Sequence, residues 1–324
     1  MSEIVFQNVT KVYAGAEAAA VRDVSLSIAS GSFVVLLGPS GCGKTTLLKM
    51  VNHLYEPTSG TIAIGSRDIR ELEATTLRRR IGYVIQQVGL FPHMTVSQNV
   101  AVVPSLLNWP RDRREARVRE LLTLVELPPD EYCSRYPAQL SGGQQQRVGV
   151  ARALAGDPDV VLMDEPFGAI DAITRATLQD EMLRLQRKLK KTVLFVTHDV
   201  EEALRLADRI VVMRQGCVVQ YDTPLHILTR PANGFVRELV GADDMIRQLS
   251  LLRVEQAMKP LVGGGEIEDW GDRPSVPCDA NLHRALSLLL QAGHTTLAVR
   301  DGQALVGSLS LDDIRASARP REIL

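Results

Sequence analysis

One segment of the chain, GPSGCGKT, offers a binding site for a polyphosphate. It follows an apolar run, precedes the helical run TTLLKMVNHLY and matches the pattern G-x-x-x-x-G-K-[ST]. Glycines let backbone N–H groups approach phosphate oxygens, and a helix N-terminus adds favourable partial charge. We expect Lys44 to reach the β- and γ-phosphates and the Thr45 hydroxyl to bind Mg²⁺. The predicted nucleotide-binding residues of this segment are Gly38, Pro39, Ser40, Gly41, Cys42, Gly43, Lys44, Thr45 and Thr46. Cys42 occupies an unspecified position of the pattern, so we expect no chemical role for its side chain.

Two acidic residues follow a second apolar run. The run VVLM leads directly into Asp164 and Glu165, which places two carboxylates at the carboxyl end of a predicted strand, where α/β sheets bind ligands. We expect Asp164 to hold Mg²⁺, directly or through water, and Glu165 to act as general base on the attacking water. The phosphate-binding segment earlier in the chain makes this interpretation specific, because the acidic pair alone is a weak pattern.

These residues need a sheet whose strands end at one edge. Apolar runs without polar alternation indicate buried strands of a mainly parallel sheet covered by helices. Such runs are FVVLLG at 33–38, VVLMD at 160–164, TVLFVTH at 192–198 and RIVVM at 209–213. The segment from about 92 to 155 is mostly helical, and we interpret it as an insertion into this α/β core.

One helical stretch of the insertion, RDRREARVRELLTLVEL at 111–127, is rich in arginine. Its basic face fits a patch that binds nucleic acid. The interleaved Glu115 and Glu120 favour the simpler interpretation, a solvated helix face.

Composition limits the function classes. A length of 324 residues allows about two domains, and an apolar fraction of 45% allows a sizeable core. Lys and Arg total 37 against 38 for Asp and Glu, and this balance argues against an electrostatic grip on nucleic acid. No stretch approaches the ~18 consecutive apolar residues of a membrane span, and the start MSEIVFQNVTKVY does not resemble a secretory signal. We therefore expect a cytosolic chain with reduced thiols that reaches the membrane only through a partner.

A set of further segments stands in order along the chain. LSGGQ runs from Leu140 to Gln144, Gln86 lies in QQVGLFPH, Asp171 in FGAID and His198 in THDVEEA. With the phosphate-binding loop and the acidic pair, this set resembles the signature, Q-loop, D-loop and switch motifs of ATP-binding cassette (ABC) ATPases. The resemblance covers about residues 2–236. It implies an α/β fold, a P-loop NTPase ABC ATPase domain with a helical signature subdomain, and ATP with Mg²⁺ as ligands.

The resemblance implies a role for each motif residue. Tyr13 resembles the aromatic residue that stacks on adenine, with ordinary strand packing as the alternative. His198 would hydrogen-bond to the γ-phosphate and act in catalysis with Glu165. Gln86 would contact Mg²⁺ or the attacking water while its loop responds to a membrane partner. The following residues Phe91, Pro92 and His93 fit a docking groove or a plain loop equally well.

The signature motif has its own physical basis. Ser141 is a good N-cap, and the stretch after it is helical to Ala155, with Gly156 as the expected stop. The helix directs its N-terminal amides and dipole outward. By resemblance, Ser141, Gly142, Gly143 and Gln144 bind the ATP held by a second copy of the chain, so the active unit is a head-to-tail pair holding two ATP molecules.

Finer details resemble the osmoprotectant importer group, which takes up glycine betaine, choline, carnitine and related quaternary amines. They include the stretches at 81–109, 139–158 and 228–241. This resemblance implies transmembrane permease subunits, an extracytoplasmic substrate-binding protein within the complex, no nucleic acid, and a peripheral position at the cytoplasmic face of the membrane. The alternatives are a soluble ABC ATPase acting on nucleic acid, ribosomes or cofactor assembly, and an importer of another small solute such as an amino acid.

The C-terminal part has a different pattern. We predict an ABC domain over 2–240 and a small α+β domain over 250–318, built as helix, strand, strand and helix, with a hairpin at Asp301-Gly302. Residues 275–317 resemble one cystathionine-β-synthase-like (CBS) module. Ser310 and Asp313 match that family's nucleotide pattern, which would allow an adenine nucleotide, but they also form a capping box, the favoured interpretation.

Overall fold

The structure is a computed structural model that describes residues 2–86, 89–168, 170–261 and 274–318, without the side chains of residues 173 and 318. The chain divides into two compact units between Tyr221 and Asp222.

The first unit contains the predicted apolar strands. Its strands are β1 (Ile4–Lys11), β2 (Val21–Ile28), β3 (Phe33–Leu37), β4 (Ser59–Ile64), β5 (Arg67–Asp68), β6 (Ile81–Val84), β7 (Val160–Asp164), β8 (Thr192–Thr197), β9 (Arg209–Arg214) and β10 (Cys217–Asp222). Its α-helices are α1 (Lys44–Val51), α2 (Ala74–Arg79), α3 (Val96–Val100), α4 (Val102–Leu106), α5 (Arg111–Leu124), α6 (Pro129–Tyr132), α7 (Gly142–Leu154), α8 (Ala172–Leu189) and α9 (Val200–Leu206).

A six-stranded sheet in the order β10-β9-β3-β8-β7-β6 forms the centre of this unit. Strand β3 runs parallel to both β8 and β9, and β7 runs parallel to β8 and β6. Every residue of β3, β7 and β8 is buried, which explains their uninterrupted apolar sequences. The pairs Leu37–Thr197 and Asp164–Val196 stand in register, so the carboxyl ends of these strands reach one edge together.

A second sheet, in the order β2-β1-β4-β5, is antiparallel. One apolar cluster joins the two sheets through α1, and it includes Phe6, Leu36, Leu47, Ile62 and Leu194. The helix that follows the phosphate-binding segment is therefore fixed by core packing on its buried face.

The predicted helical insertion is formed by α3 to α7. On α5, Arg111 pairs with Glu115 and Arg117 with Glu120, as the solvated-face interpretation predicts. Helix α7 ends at Leu154 with Ala155 as C-cap. The helix therefore stops directly before Gly156, as predicted, although Gly156 is not among the residues with positive φ. Close packing requires glycine there, since a Cβ would lie 2.7 Å from Val103 Cγ1.

The second unit begins earlier than the predicted boundary near 240. Its elements are α10 (Pro224–Thr229), α11 (Gly234–Val240), α12 (Met245–Leu251), α13 (Val254–Ala257), β11 (Lys259–Pro260), β12 (Ser275–Pro277), α14 (Leu282–Ala292), β13 (Thr296–Asp301), β14 (Ala304–Ser310) and α15 (Leu311–Ala318). Helix α10 packs against α11 and α12, so the segment after Tyr221 belongs with this unit. Part of the span predicted as the CBS-like domain, residues 262–273, lies outside the described residues.

The predicted order of helix, strand, strand and helix is observed as α14, β13, β14 and α15 in a sheet of order β11-β14-β13-β12. The hairpin is shifted by one residue from the prediction. Asp301 pairs with Ala304, so Gly302 and Gln303 form the loop, and Gly302 has φ 58°.

In the parts of the chain that the structure describes, every helix is too short or too polar to cross a bilayer.

Candidate functional site

The residues predicted to do chemistry come from the ends of four neighbouring parallel strands. Gly38 follows β3, His198 follows β8, Asp164 ends β7 and Gln86 lies shortly after β6. The strand order β3-β8-β7-β6 places these ends side by side, at the carboxyl edge where α/β sheets bind ligands.

The loop between β3 and α1 forms a cradle, and two positions of this loop accept only glycine. A Cβ at Gly38 would lie 2.3 Å from the Met213 carbonyl oxygen, and one at Gly43 would lie 2.3 Å from that of Ala20. Gly43 also has φ 105° and is the N-cap of α1. Pro39, Ser40 and Gly41 form the exposed tip of the loop. The shape and the free helix terminus suit a polyphosphate.

Two side chains of the loop are held inward. Lys44 Nζ donates to the carbonyl oxygens of Gly38, at 2.7 Å, and Pro39, at 3.0 Å. These two carbonyl oxygens hold the ammonium against the loop. The Cys42 side chain is 4% exposed and packs in the apolar core, and burial raises the pKa of its thiol. The thiol is therefore not presented to the open side of the loop.

A hydroxyl and a carboxylate meet beside the cradle. Thr45 Oγ1 donates to Asp164 Oδ1 at 2.9 Å. Asp164 is 6% exposed, and burial raises the pKa of its carboxyl, opposed by the Thr45 hydrogen bond and by Lys49. One carboxylate and one hydroxyl fit Mg²⁺, which binds proteins through few oxygen ligands and takes the rest from phosphates and water.

Glu165 is the meeting point of two other predicted residues. Its Oε2 lies 3.3 Å from Gln86 Nε2 and 3.2 Å from His198 Nδ1. The backbone of Glu165 has φ 44°, a costly conformation for a residue with a Cβ, and its N–H donates to the Val196 carbonyl oxygen at 3.0 Å. The strand end and this bond direct the carboxylate to the edge where Gln86 and His198 converge.

Tyr13 lies next to the first helix of the site. Its hydroxyl is 3.2 Å from Thr46 Oγ1, its ring contacts Tyr55 edge to face with centroids 5.7 Å apart, and the residue is 37% exposed. The ring is therefore partly exposed beside α1, and its stacking on adenine stays a prediction.

The signature residues form an exposed helix start. Ser141 Oγ accepts from the Gln144 N–H at 3.3 Å, and Gln144 Oε1 accepts from the Ser141 N–H at 2.9 Å, which is the predicted capping. Gln144 Nε2 also donates to the Tyr132 hydroxyl at 3.1 Å. Ser141 and Gly142 are exposed. The signature tip is therefore held by its own helical region and presented to solvent, outside the cluster around Glu165.

Asp171 is the N-cap of α8 and accepts from the Thr174 N–H at 3.1 Å. Sequence reasoning missed its neighbour Arg175, whose guanidinium contacts the Ile170 carbonyl at the D-loop and the Asp199 carboxylate next to His198. The spacing of Arg175 after the FGAID motif is the only sequence signal for it, because its acidic partners, Asp199 and Glu202, lie more than twenty residues away in the chain.

In the second unit, Ser310 and Asp313 satisfy each other. Ser310 Oγ accepts from the Asp313 N–H at 3.2 Å, and Asp313 Oδ2 accepts from the Ser310 N–H at 2.9 Å. Lys259 Nζ lies 3.1 Å from Asp313 Oδ1. These contacts form the capping box of α15.

The chain is similar to known proteins in sequence and in fold. Residues 21–168 match the ABC transporter family. The chain is 48% identical over 322 residues to the glycine betaine/carnitine/choline transport ATP-binding protein OpuCA of Bacillus subtilis, across 98% of this chain and 81% of that protein. It is 48% identical over 317 residues to the glycine betaine uptake system ATP-binding protein YehX of Escherichia coli, across 97% of this chain and 100% of that protein. Among solved structures, the dimeric post-hydrolysis ATP-binding cassette MJ0796 bound to ADP and Pi matches with TM-score 0.61 and 36% identity, over 68% of this chain and 98% of that one.

Proposed function

The chain belongs to the ATP-binding subunits of ABC transporters, which hydrolyse ATP to power transport, and we propose that it drives the import of quaternary-amine osmoprotectants. Glycine betaine, carnitine and choline are the solutes that its relatives' names give. The main structural support for ATP hydrolysis is that Gln86 and His198 both contact one carboxylate oxygen of Glu165.

The residues at the carboxyl edge of the sheet have different roles in ATP hydrolysis. The cradle amides, the α1 terminus and Lys44 bind the triphosphate, and Tyr13 stacks on the adenine. Thr45 and Asp164, with Gln86, would hold Mg²⁺, and the ion would supply positive charge to neutralise the phosphates. Glu165 accepts the proton of the attacking water, and His198 donates a hydrogen bond to a γ-phosphate oxygen. The rate acceleration comes from positioning of the reacting groups and from electrostatic stabilisation, and no covalent intermediate forms.

A second copy of the chain completes each site. The exposed Ser141 and Gly142 and the adjacent Gly143 and Gln144 direct the α7 terminus at the γ-phosphate of the ATP held by the partner. The dimeric cassette structure supports this arrangement. ATP binding then closes the pair, closure changes the conformation of the membrane subunits, and hydrolysis reopens the pair.

The permease binds a groove in the helical region. This groove of about 910 Å³ is lined by His93 at the end of the Q-loop segment, by apolar side chains that include Met94, Val102 and Leu106, and by Arg114. Leu106 is 50% exposed, so the groove offers apolar surface for an inserted helix. The subunit is thereby held at the cytoplasmic face of the cell membrane, in a complex that includes an extracytoplasmic substrate-binding protein.

The second unit is a CBS-like regulatory domain. An adenine nucleotide at Ser310 and Asp313 would have to compete with their capping bonds, so capping is the favoured role of this pair. The relatives favour the importer over a soluble ATPase that acts on nucleic acid, ribosomes or cofactor assembly.

Uptake of labelled glycine betaine tests the proposal. Cells that lack other osmoprotectant uptake would express the chain with its permease and binding-protein genes at high osmolarity. We expect uptake with the wild type and with Lys188→Ala, an exposed control in α8, and none with Lys44→Ala. Absence of quaternary-amine uptake with active wild-type ATPase would contradict the assigned solute class. Uptake with Lys44→Ala would contradict the ATPase role.

A further inference from the structure

Arg175 on α8 connects two loops of the site that approach it from different elements. Its Nη2 donates to the carbonyl oxygen of Ile170, the residue before the D-loop aspartate, at 3.0 Å. Its Nη1 lies 3.4 Å from Oδ2 of Asp199, the residue after His198. One planar guanidinium therefore holds the D-loop backbone and the switch-histidine loop together, which its fixed fork of donors allows.

The same guanidinium approaches a carboxylate that supports the other side of His198. Glu202 Oε2 accepts from the Thr197 hydroxyl at 2.7 Å, and Thr197 Oγ1 accepts from the Asp199 N–H at 3.0 Å. Asp199 Oδ1 also caps α9 by accepting from the Glu201 N–H at 2.8 Å. Both neighbours of His198 in the chain are thus fixed by one polar network.

One hydrogen bond between Arg175 and Glu202 in this network is not formed. Arg175 Nε is buried without a hydrogen bond among the described residues, and Oε1 of the buried Glu202 lies 4.0 Å from it. An unmade bond to a buried charged group is costly. A shift of about 1 Å between α8 and α9 would close the gap to hydrogen-bond length.

Helix α8 also lies against the signature helix, at its first turn and near its middle. A Cβ at Gly143 would lie 2.7 Å from Thr174 Cγ2, so α7 and the first turn of α8 are in close contact. Arg147 of α7 forms an ion pair with Glu181 of α8, whose side chain is 10% exposed. The signature helix and α8 are therefore joined by close packing and by an ion pair.

We infer that Arg175 is a positioning residue that transmits closure of the chain pair to His198. When the partner contacts the signature tip and the D-loop, α8 moves, and the Arg175 guanidinium tightens against Asp199 and Glu202. This movement sets the backbone of His198 at the γ-phosphate. The inference rests on the proposed two-chain ATPase. Arg175 itself touches neither the nucleotide nor the reacting atoms.

Steady-state ATP hydrolysis by the full chain tests this inference. We expect Arg175→Gln to lower kcat about tenfold and to leave the KM for ATP within about twofold, because ATP binding does not use the network. Arg187→Gln, an exposed arginine on the same helix, should match the wild type. Arg175→Lys keeps the charge but cannot reach all three acceptors, so it should fold normally and lose activity by several fold.

A double-mutant cycle separates this role from general stability. In a His198→Ala background, Arg175→Gln should cause no further loss in single-turnover rate, because Arg175 acts through His198. A loss that adds to that of His198→Ala would overturn the inference, and so would wild-type kcat in Arg175→Lys. If the wild type hydrolyses ATP and Arg175→Gln equals Arg187→Gln, only this inference fails. If the wild type does not hydrolyse ATP, the proposed function fails.

Discussion

Replacing Glu165 by glutamine removes a proton acceptor while it keeps the shape of the site. The amide retains one oxygen that can accept from Gln86 and His198, which lie 3.3 Å and 3.2 Å from Oε2. Both side chains carry a Cβ, so the backbone at φ 44° is strained equally in both proteins. The change therefore acts on proton transfer and hardly on folding.

The expected loss in kcat is about 10²- to 10⁴-fold, the contribution of a positioned general base, or about 3 to 5 kcal/mol on the barrier. The affinity for ATP should stay within about twofold, and the ATP-bound chain pair should accumulate. Phosphate release measures turnover, equilibrium dialysis measures ATP binding, and Glu17→Gln at an exposed position serves as control. Turnover within about tenfold of the wild type would refute the assignment of Glu165 as general base.

Three further changes test the structure around the site. Gly43→Ala should abolish ATP binding, measured by dialysis, because the new Cβ would lie 2.3 Å from the Ala20 carbonyl oxygen. ATP binding with wild-type affinity would contradict the phosphate-binding role of the cradle. Arg147→Met should lower the free energy of unfolding in urea by about 3 to 5 kcal/mol, since it removes the ion-pair partner of the buried Glu181. Adding Glu181→Leu should restore most of this loss, and equal stability of Arg147→Met and wild type would contradict the prediction. Burial raises the pKa of Glu202 above 4.5, so its contribution to stability is present below pH 4.5 and is lost as pH rises through the raised pKa. In urea titrations at several pH values, the free energy of unfolding of Glu202→Gln should decrease less with rising pH than that of the wild type. An unchanged dependence on pH would contradict this role of Glu202.

Much of the site follows from short stretches of sequence. The uninterrupted apolar runs predict the central strands, and each chemical residue lies within a few positions of a strand end. A parallel sheet then brings Gly38, Gln86, Asp164 and His198 to one edge without knowledge of any long-range contact. The capping of Ser141 by Gln144 is equally local, and the structure contains it.

The remaining features depend on contacts between distant parts of the chain. Apart from its spacing after the FGAID motif, no local pattern distinguishes Arg175 from an ordinary solvated arginine, because its acidic partners Asp199 and Glu202 lie at the start of α9. Gly156 has the sequence pattern of a helix stop, but packing against Val103 is what requires it. The boundary at Tyr221 depends on the packing of α10 with α11 and α12, which the composition of the linker does not reveal.

The central claim is that each ATP is bound between the glycine cradle of one chain and the signature tip of another. Turnover per chain at saturating ATP, measured across concentrations where sedimentation follows the monomer-to-dimer transition, tests it most directly. The account predicts that turnover rises in proportion to the dimer fraction and approaches zero for the monomer. Full turnover by a chain that stays monomeric would contradict it.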